Sequence, residues 1–285
     1  MSTQITTAFV NQFSANIALL AQQRGSLLRK AVRVESVTGE KAFFDQVGSA
    51  AAVQRTSRHA DTPLVTTPHS RRMVSLTDYE WADLIDDQDK VRMLADPTST
   101  YAMAAAAGMG RAMDDVIIDA AIGTAKTGAS GSTSTTLPAG KKIAHGSAGL
   151  TIAKLISAKK ILDENDIDPS IKRWIAVSPE QIEDLLNNTT VTSSDFNTVK
   201  ALATGEINSY VGFEFIVTNR LDDDGTSRQV IAWAEDGITL AVGKDMSARI
   251  DERADKSYST QVYAAMSIGC TRMEEEKVVE IACNE

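Results

Sequence analysis

The sequence predicts an α+β fold, and three observations carry that prediction. The stretch Asp61–Arg72 is Thr-rich extended chain in which Pro63 and Pro68 bar a central strand. An Ala- and Met-rich run opens at Asp96-Pro97, an N-cap acid with proline at the first helical position, and continues to about Ile122 as one long helix. Residues 170–245 then alternate short apolar strands with capped helices, and the tail from Met246 is mostly strand. Long extended segments beside one slender helix suit a subunit that interlocks with copies of itself.

Each element follows from its local pattern. Residues 1–28 form a mildly amphipathic arm, with Phe9, Val10, Phe13, Ile17 and Leu20 at helical spacing. Val32 and Val34 alternate with charged residues, Thr38-Gly39 marks a turn and Ala42–Phe44 resumes, which is a hairpin signal. Gly48–Arg58 is small and polar, and Met73–Leu76 returns as a strand. This region holds too little apolar surface to fold alone, so 31–77 is expected to project as a two-stranded loop. Tyr79–Asp89 predicts an acidic aromatic turn. The helix after it would be about 40 Å long at ~1.5 Å per residue. Its residues 102–108 are almost all Ala or Gly, and Met109, Met113, Ile117 and Ala120 continue one stripe. Gly108 and Gly110 each cost roughly 1 kcal/mol against Ala in a helix interior, so both are expected where another backbone packs closely.

Residues 123–150 show no hydrophobic period and predict a long loop or an extended excursion. Ile152, Leu155, Ile156 and Leu162 face one side of a second helix, ended by Asp166–Pro169. Trp174–Val177 is a short buried strand. Ser178-Pro179-Glu180-Gln181 is a capping box that starts a helix through Leu186. A further helix is expected over Phe196–Ala203, capped by Ser194 or Asp195 and stopped by Gly205. Strands follow at Phe213–Val217, Val230–Ala234, Ile238–Val242, Ser247–Arg253, Gln261–Arg272 and Val278–Ala282, with a hairpin turn at Asp222–Gly225. The long helix and the C-terminal strands would form one unit, with the α/β block inserted between them.

Bulk composition excludes several functions. A net charge of −9 argues against a general nucleic-acid binder. The charge is uneven: residues 1–75 carry nine Lys/Arg against four Asp/Glu, and the rest carry 20 against 34, which is either chance composition or the mark of a basic arm that docks on an acidic body, its own or a neighbour's. Cys270 and Cys283 alone make no disulfide framework, and a reducing compartment is expected. The N-terminus lacks a charged region followed by an apolar stretch, and no run approaches the ~18 apolar residues of a membrane span, so neither signal peptide nor membrane anchoring is expected.

No constellation supports catalysis, and no cofactor or metal is expected. Asp86-Asp87-Gln88-Asp89 has no EF-hand spacing around it. His59, His69 and His145 lack the companions of a zinc site. Ser178 belongs to a helix cap, not a G-x-S-x-G elbow. Gly140-Lys141-Lys142 lacks the P-loop frame, and Gly108-x-Gly110 lacks the third glycine of a dinucleotide fingerprint.

Several runs resemble the major capsid proteins of tailed bacteriophages, the short-tailed ones in particular. They are Tyr79–Asp89, Asp96-Pro97-Thr98-Ser99 with the Ala/Met helix, Val177–Gln181 with Leu185-Leu186, Asp195-Phe196-Asn197, Val199–Leu202, and Gly205-Glu206-Ile207 to Gly212-Phe213. Together they cover roughly residues 59–220. The resemblance implies the Hong Kong 97-type capsid fold: an N-terminal arm at 1–30, an E-loop at 31–77, a P-domain at 78–168 and 247–285 with its spine helix near 97–122, and an A-domain at 169–246. It implies a non-enzymatic coat protein that assembles through pentamers and hexamers into an icosahedral head around double-stranded DNA, without sequence-specific binding. The virion is the expected location, after assembly in the host bacterial cytoplasm.

A scaffolding extension is not found ahead of the arm, so a separate scaffolding protein is expected, with a portal protein and a decoration or cement protein as further partners. Lys41 lies in the E-loop region, but no crosslinking motif surrounds it. In the family the E-loop lies across a neighbour. Arg55, Arg58, Arg71 and Arg72 are therefore expected to meet Asp83, Asp86, Asp87 and Asp89 of another subunit. Two other readings are an encapsulin-like nanocompartment shell and, from a different class, a metal-dependent hydrolase using Asp86, Asp87 and Asp89.

Overall fold

The computed structural model describes residues 22–59, 61–86, 98–187 and 209–285. In chain order its elements are β1 (Arg33–Ser36), β2 (Lys41–Val47), β3 (His69–Ser75), β4 (Thr77–Ile85), α1 (Thr98–Ile122), β5 (Ala125–Thr127), β6 (Thr133–Thr135), β7 (Lys142–Ile143), α2 (Ile152–Asp163), β8 (Arg173–Val177), α3 (Pro179–Asn187), β9 (Ser209–Tyr210), β10 (Phe213–Val217), β11 (Ser227–Ala234), β12 (Ile238–Arg253), β13 (Ser259–Arg272) and β14 (Val278–Asn284). The arm over 1–21, the helix start at Asp96-Pro97 and the helix expected over 196–203 lie outside the described residues. Contacts group the chain into two compact units, one drawn from 1–26, 78–112 and 244–267, the other from 27–77, 113–243 and 268–285.

The first unit holds β4, the early part of α1, and the portions of β12 and β13 around their connection, in the strand order β12-β13-β4. β4 replaces the turn expected over Tyr79–Asp89. Tyr79, Trp81 and Ile85 are shielded and alternate with exposed neighbours, the period of a half-covered strand, and the acidic residues between them masked that period. Tyr263 donates its hydroxyl to Glu80 at 2.8 Å, tying β13 to β4. Small and flexible apolar residues supply this unit's core, among them Ala105, Ala107, Met109, Val262, Ala264 and Met266.

The second unit contains two sheets of its own. One is antiparallel, in the order β2-β3-β5-β6. β2 and β3 pair from Lys41↔Ser75 to Val47↔His69, leaving 48–68 as the connecting loop. β5 and β6, with β7, occupy the stretch expected to be loop. Strands of two or three residues are too short to display a hydrophobic period. The Thr38-Gly39 turn is present, with Gly39 at φ +99°. Its two flanks nevertheless do not pair with each other, as the hairpin signal implied. β1 runs parallel to β12, from Arg33↔Thr239 to Ser36↔Val242, while β2 pairs with β3. A parallel partner 200 residues away leaves no local mark in the sequence.

The other sheet is six-stranded and mixed, in the order β7-β14-β11-β8-β10-β9. All five residues of β8 are buried, Arg173 through its ion pair with Asp163 and Trp174–Val177 as the apolar run of a central strand. Trp233 of β11 is 1% exposed, and its indole N–H donates to Ala31 O at 2.8 Å, so the ring is buried without an orphaned donor. Both arms of the expected capping box form: Ser178 N donates to Gln181 Oε1 at 2.7 Å, and Gln181 N to Ser178 Oγ at 3.4 Å. α2 packs on β14 and β7. The sheet thus reaches beyond the 169–246 block, because β14 pairs with β11 along seven residues.

Candidate functional site

The hairpin of β2 and β3 carries the features that set this chain apart. Its loop over 48–68 is almost wholly exposed, including apolar side chains: Leu64 is 96% exposed, Val53 57% and Val65 46%. Arg55 and Arg58 are exposed in this loop, Arg55 donating to Ser57 O at 2.9 Å. Arg71 pairs with Asp45 across the hairpin at 2.5 Å and lies 5.5 Å over the Phe43 ring. The hydrogen bond from Arg71 holds the Asp45 carboxyl below the usual carboxylate range.

Arg72, the next residue, points the other way, as strand alternation requires. It is 7% exposed, donates from Nε to Met273 O at 2.7 Å and meets Glu275 Oε2 at 2.5 Å. Glu275 also faces Arg272, whose Nε lies 3.6 Å from Glu275 Oε1. Arg272 has no exposed surface. Its Nη1 donates to the carbonyls of Ala121 and Gly123 at 2.8 Å each, and its Nη2 to Thr135 O at 3.2 Å. These acceptors include the end of α1, where helix carbonyls lack intrahelical partners and the dipole favours a cation. Burial pulls the Arg272 guanidinium pKa below the ordinary arginine value; Glu275 opposes that shift and Arg72 adds to it.

Among the acidic set, Asp83 and Asp86 are exposed at the end of β4, and Asp83 accepts from Leu84 N at 2.8 Å. Asp87 and Asp89 lie outside the described residues. Arg71 and Arg72 are thus engaged inside their own unit, by Asp45 and Glu275, and the outward-facing members of the basic set are Arg55 and Arg58. The two glycines of α1 differ. A Cβ on Gly110 would sit 2.3 Å from Gly25 C and 2.5 Å from Gly25 Cα, so the backbone of the preceding segment crosses the helix there. The neighbouring Arg111 holds that segment through Gln22 Oε1 at 2.9 Å and Gln23 O at 3.3 Å. A Cβ on Gly108 would meet only Arg111 Nη2 at 3.8 Å and Trp81 Cδ1 at 4.0 Å, ordinary contacts.

No group of three or more potential metal ligands occurs among the described residues. Cys270 and Cys283 are free thiols, and burial pushes Cys283 up to about 12. Pattern reading missed Asp114, Arg272 and Glu275. Asp114 is fully buried on α1, and its carboxylate accepts from Leu27 N and Leu28 N at 3.1 Å each. Only the Arg272-x-x-Glu275 spacing carried any trace of the ionic pair, and it is indistinguishable from surface charge.

A family model described as phage capsid protein matches residues 5–285. No curated protein sequence matches. The capsid of the cyanophage P-SCSP1u superposes with a TM-score of 0.76 at 19% identity, covering 100% of this chain and 96% of that one. The capsid of Ralstonia phage GP4 gives 0.72 at 10% identity, with 97% and 95% covered. The capsid of a native GTA particle gives 0.71 at 14% identity, with 98% and 96% covered. At these identities the likeness speaks to the fold.

Proposed function

The chain belongs to the phage capsid protein family, and from that premise we propose that, as the major capsid protein, it closes through pentamers and hexamers into an icosahedral head enclosing double-stranded DNA. The observation that carries the reading is the family match over nearly the whole chain, joined to a hairpin whose exposed loop has no cover among the described residues. One repeated chain closing on itself is the economical route to a shell. The acidic balance of −9 suits a container that does not adhere to its contents.

Within this reading, 1–30 is the arm, 31–77 the E-loop and α1 the spine of the P-domain. The A-domain of 169–246 then takes β7 and β14 into its sheet. The close crossing at Gly110 seats the arm on the spine. Arg55 and Arg58 face Asp83 and Asp86 of a neighbour. A scaffolding protein, a portal protein and a decoration protein are the proposed partners, with assembly in the host bacterial cytoplasm.

Expression with the scaffolding protein, followed by electron microscopy, tests the proposal. Closed particles bearing five- and six-fold capsomers are expected, and native particles should contain DNA. Protein-filled shells free of nucleic acid would favour a nanocompartment, and a monomer under all assembly conditions would end the reading.

A further inference from the structure

Both strands of the hairpin converge on one carbonyl. Gln46 Nε2 of β2 and Arg72 Nε of β3 lie 2.8 and 2.7 Å from Met273 O. From Arg72 the contacts run to Glu275, on to Arg272, and end on the carbonyls of Ala121, Gly123 and Thr135. An unbroken chain of polar contacts therefore joins the hairpin to the end of α1 and to β6. All three ionic side chains are more than nine-tenths buried. At the base of β3, Gly269 lets the β13 backbone come so near that a Cβ there would sit 2.3 Å from Ser75 O.

A buried ionic triad is a weak source of stability. Its desolvation offsets most of its Coulomb gain, and apolar residues of similar volume do as well. Here the cost is higher still, because Arg72 Nη1, Arg272 Nε and Glu275 Oε1 are buried without a hydrogen-bond partner among the described residues. What the triad does supply is direction. A planar guanidinium with fixed donors satisfies Met273 O and Glu275 together in one orientation of its strand.

We infer that Arg72, Glu275 and Arg272 are positioning residues that fix the angle at which the β2–β3 hairpin leaves its unit. On the capsid reading, which this inference presupposes, that angle sets the curvature of the shell.

Two variants of the full chain test it. Arg72→Lys keeps the charge and loses the fork. Arg72→Met combined with Glu275→Met removes a charge pair at similar volume. Arg72→Lys is expected to fold with a parent-like denaturation midpoint, and the double variant, which leaves buried Arg272 without its counter-ion, with a lower one. In unassembled subunits, amide exchange over 41–47 and 69–75 should quicken by about tenfold or more, while β8 and β11 stay as in the parent. Assembled with scaffold, the parent should give one particle size and the variants a spread of sizes or open sheets. Parent-like exchange in both variants overturns the inference. So does unfolding of both, which would make the triad a stability element. A single parent-like particle size from variants with a loosened hairpin overturns the link to curvature. Should the parent itself form no shell, the capsid reading fails, while the exchange comparison still decides the role of the triad at the hairpin root.

Discussion

Gly108 and Gly110 stand two residues apart on α1 and meet different surroundings, so the same substitution should act oppositely at each. Gly110→Ala drives a methyl into the backbone of Gly25 and Ser26 and should cost ~1–3 kcal/mol, outweighing the gain in helix propensity. Gly108→Ala enters open space and should stabilise by ~0.4–1 kcal/mol. Urea unfolding of the two variants beside the parent checks both signs. Asp119 offers a test in pH. Partial desolvation first, then the charges of Asp222 and Asp115, raise its carboxyl above the ordinary value of 3.8. A raised carboxyl pKa means that the fold disfavours the ionised form. Stability from this group is therefore lost as pH climbs from the ordinary value through the folded one. Asp119 also lies in the last turn of α1, where the dipole opposes an anion. Asp119→Asn should gain about 0.3 kcal/mol at pH 7, with screening at this exposed site holding the gain low, and the difference should vanish below the ordinary value. Unfolding curves at several pH values decide it. At this scale the sequence flagged both glycines by their helix penalty, but nothing local distinguished one from the other, because the crossing segment is more than eighty residues distant.

Elements were legible wherever their signal was local. The cap at Ser178, the end of α1 at Ile122 and the strand over Phe213–Val217 all sit where pattern places them. β4 was hidden because Asp83 falls on the side of Tyr79, Trp81 and Ile85 while Ala82 and Leu84 fall on the other, which breaks the alternation, and the pairing of β1 because its partner is parallel and remote. The α3 cap is the sharpest test of a local signal. Ser178 Oγ accepts from Gln181 N and also lies 2.5 Å from Glu285 Oε1. Ser178→Ala should cost about 1 kcal/mol and speed amide exchange at the start of α3. An unchanged midpoint and unchanged exchange in that first turn would show the cap to be idle.

For the whole molecule, the family and its fold could be read from a handful of runs, whereas the buried triad could not, since burial decides whether a charge is a solvated end or a tether. The charge asymmetry now has a narrower test, because Arg71 and Arg72 are engaged within the subunit. Reversing Arg55 and Arg58 to Glu should lower assembly yield in sedimentation while leaving subunit folding intact. Reversing Asp83 and Asp86 to Lys in the same chain should restore part of that yield. Each exposed pair is worth only ~0–1 kcal/mol, but a shell repeats it in every subunit. Strictly additive defects would mean that these charges do not meet. The place of β14 between β7 and β11 bears on biosynthesis. The ribosome makes β14 after every other strand of its sheet, and Glu275, which ties down Arg72, appears 203 positions after it. Until that late stretch emerges, β11 and β7 present bare edges and Arg72 lacks its carboxylate partner. Translation order thus acts as an inspection step, in which a prematurely ended chain cannot pass for a finished building block.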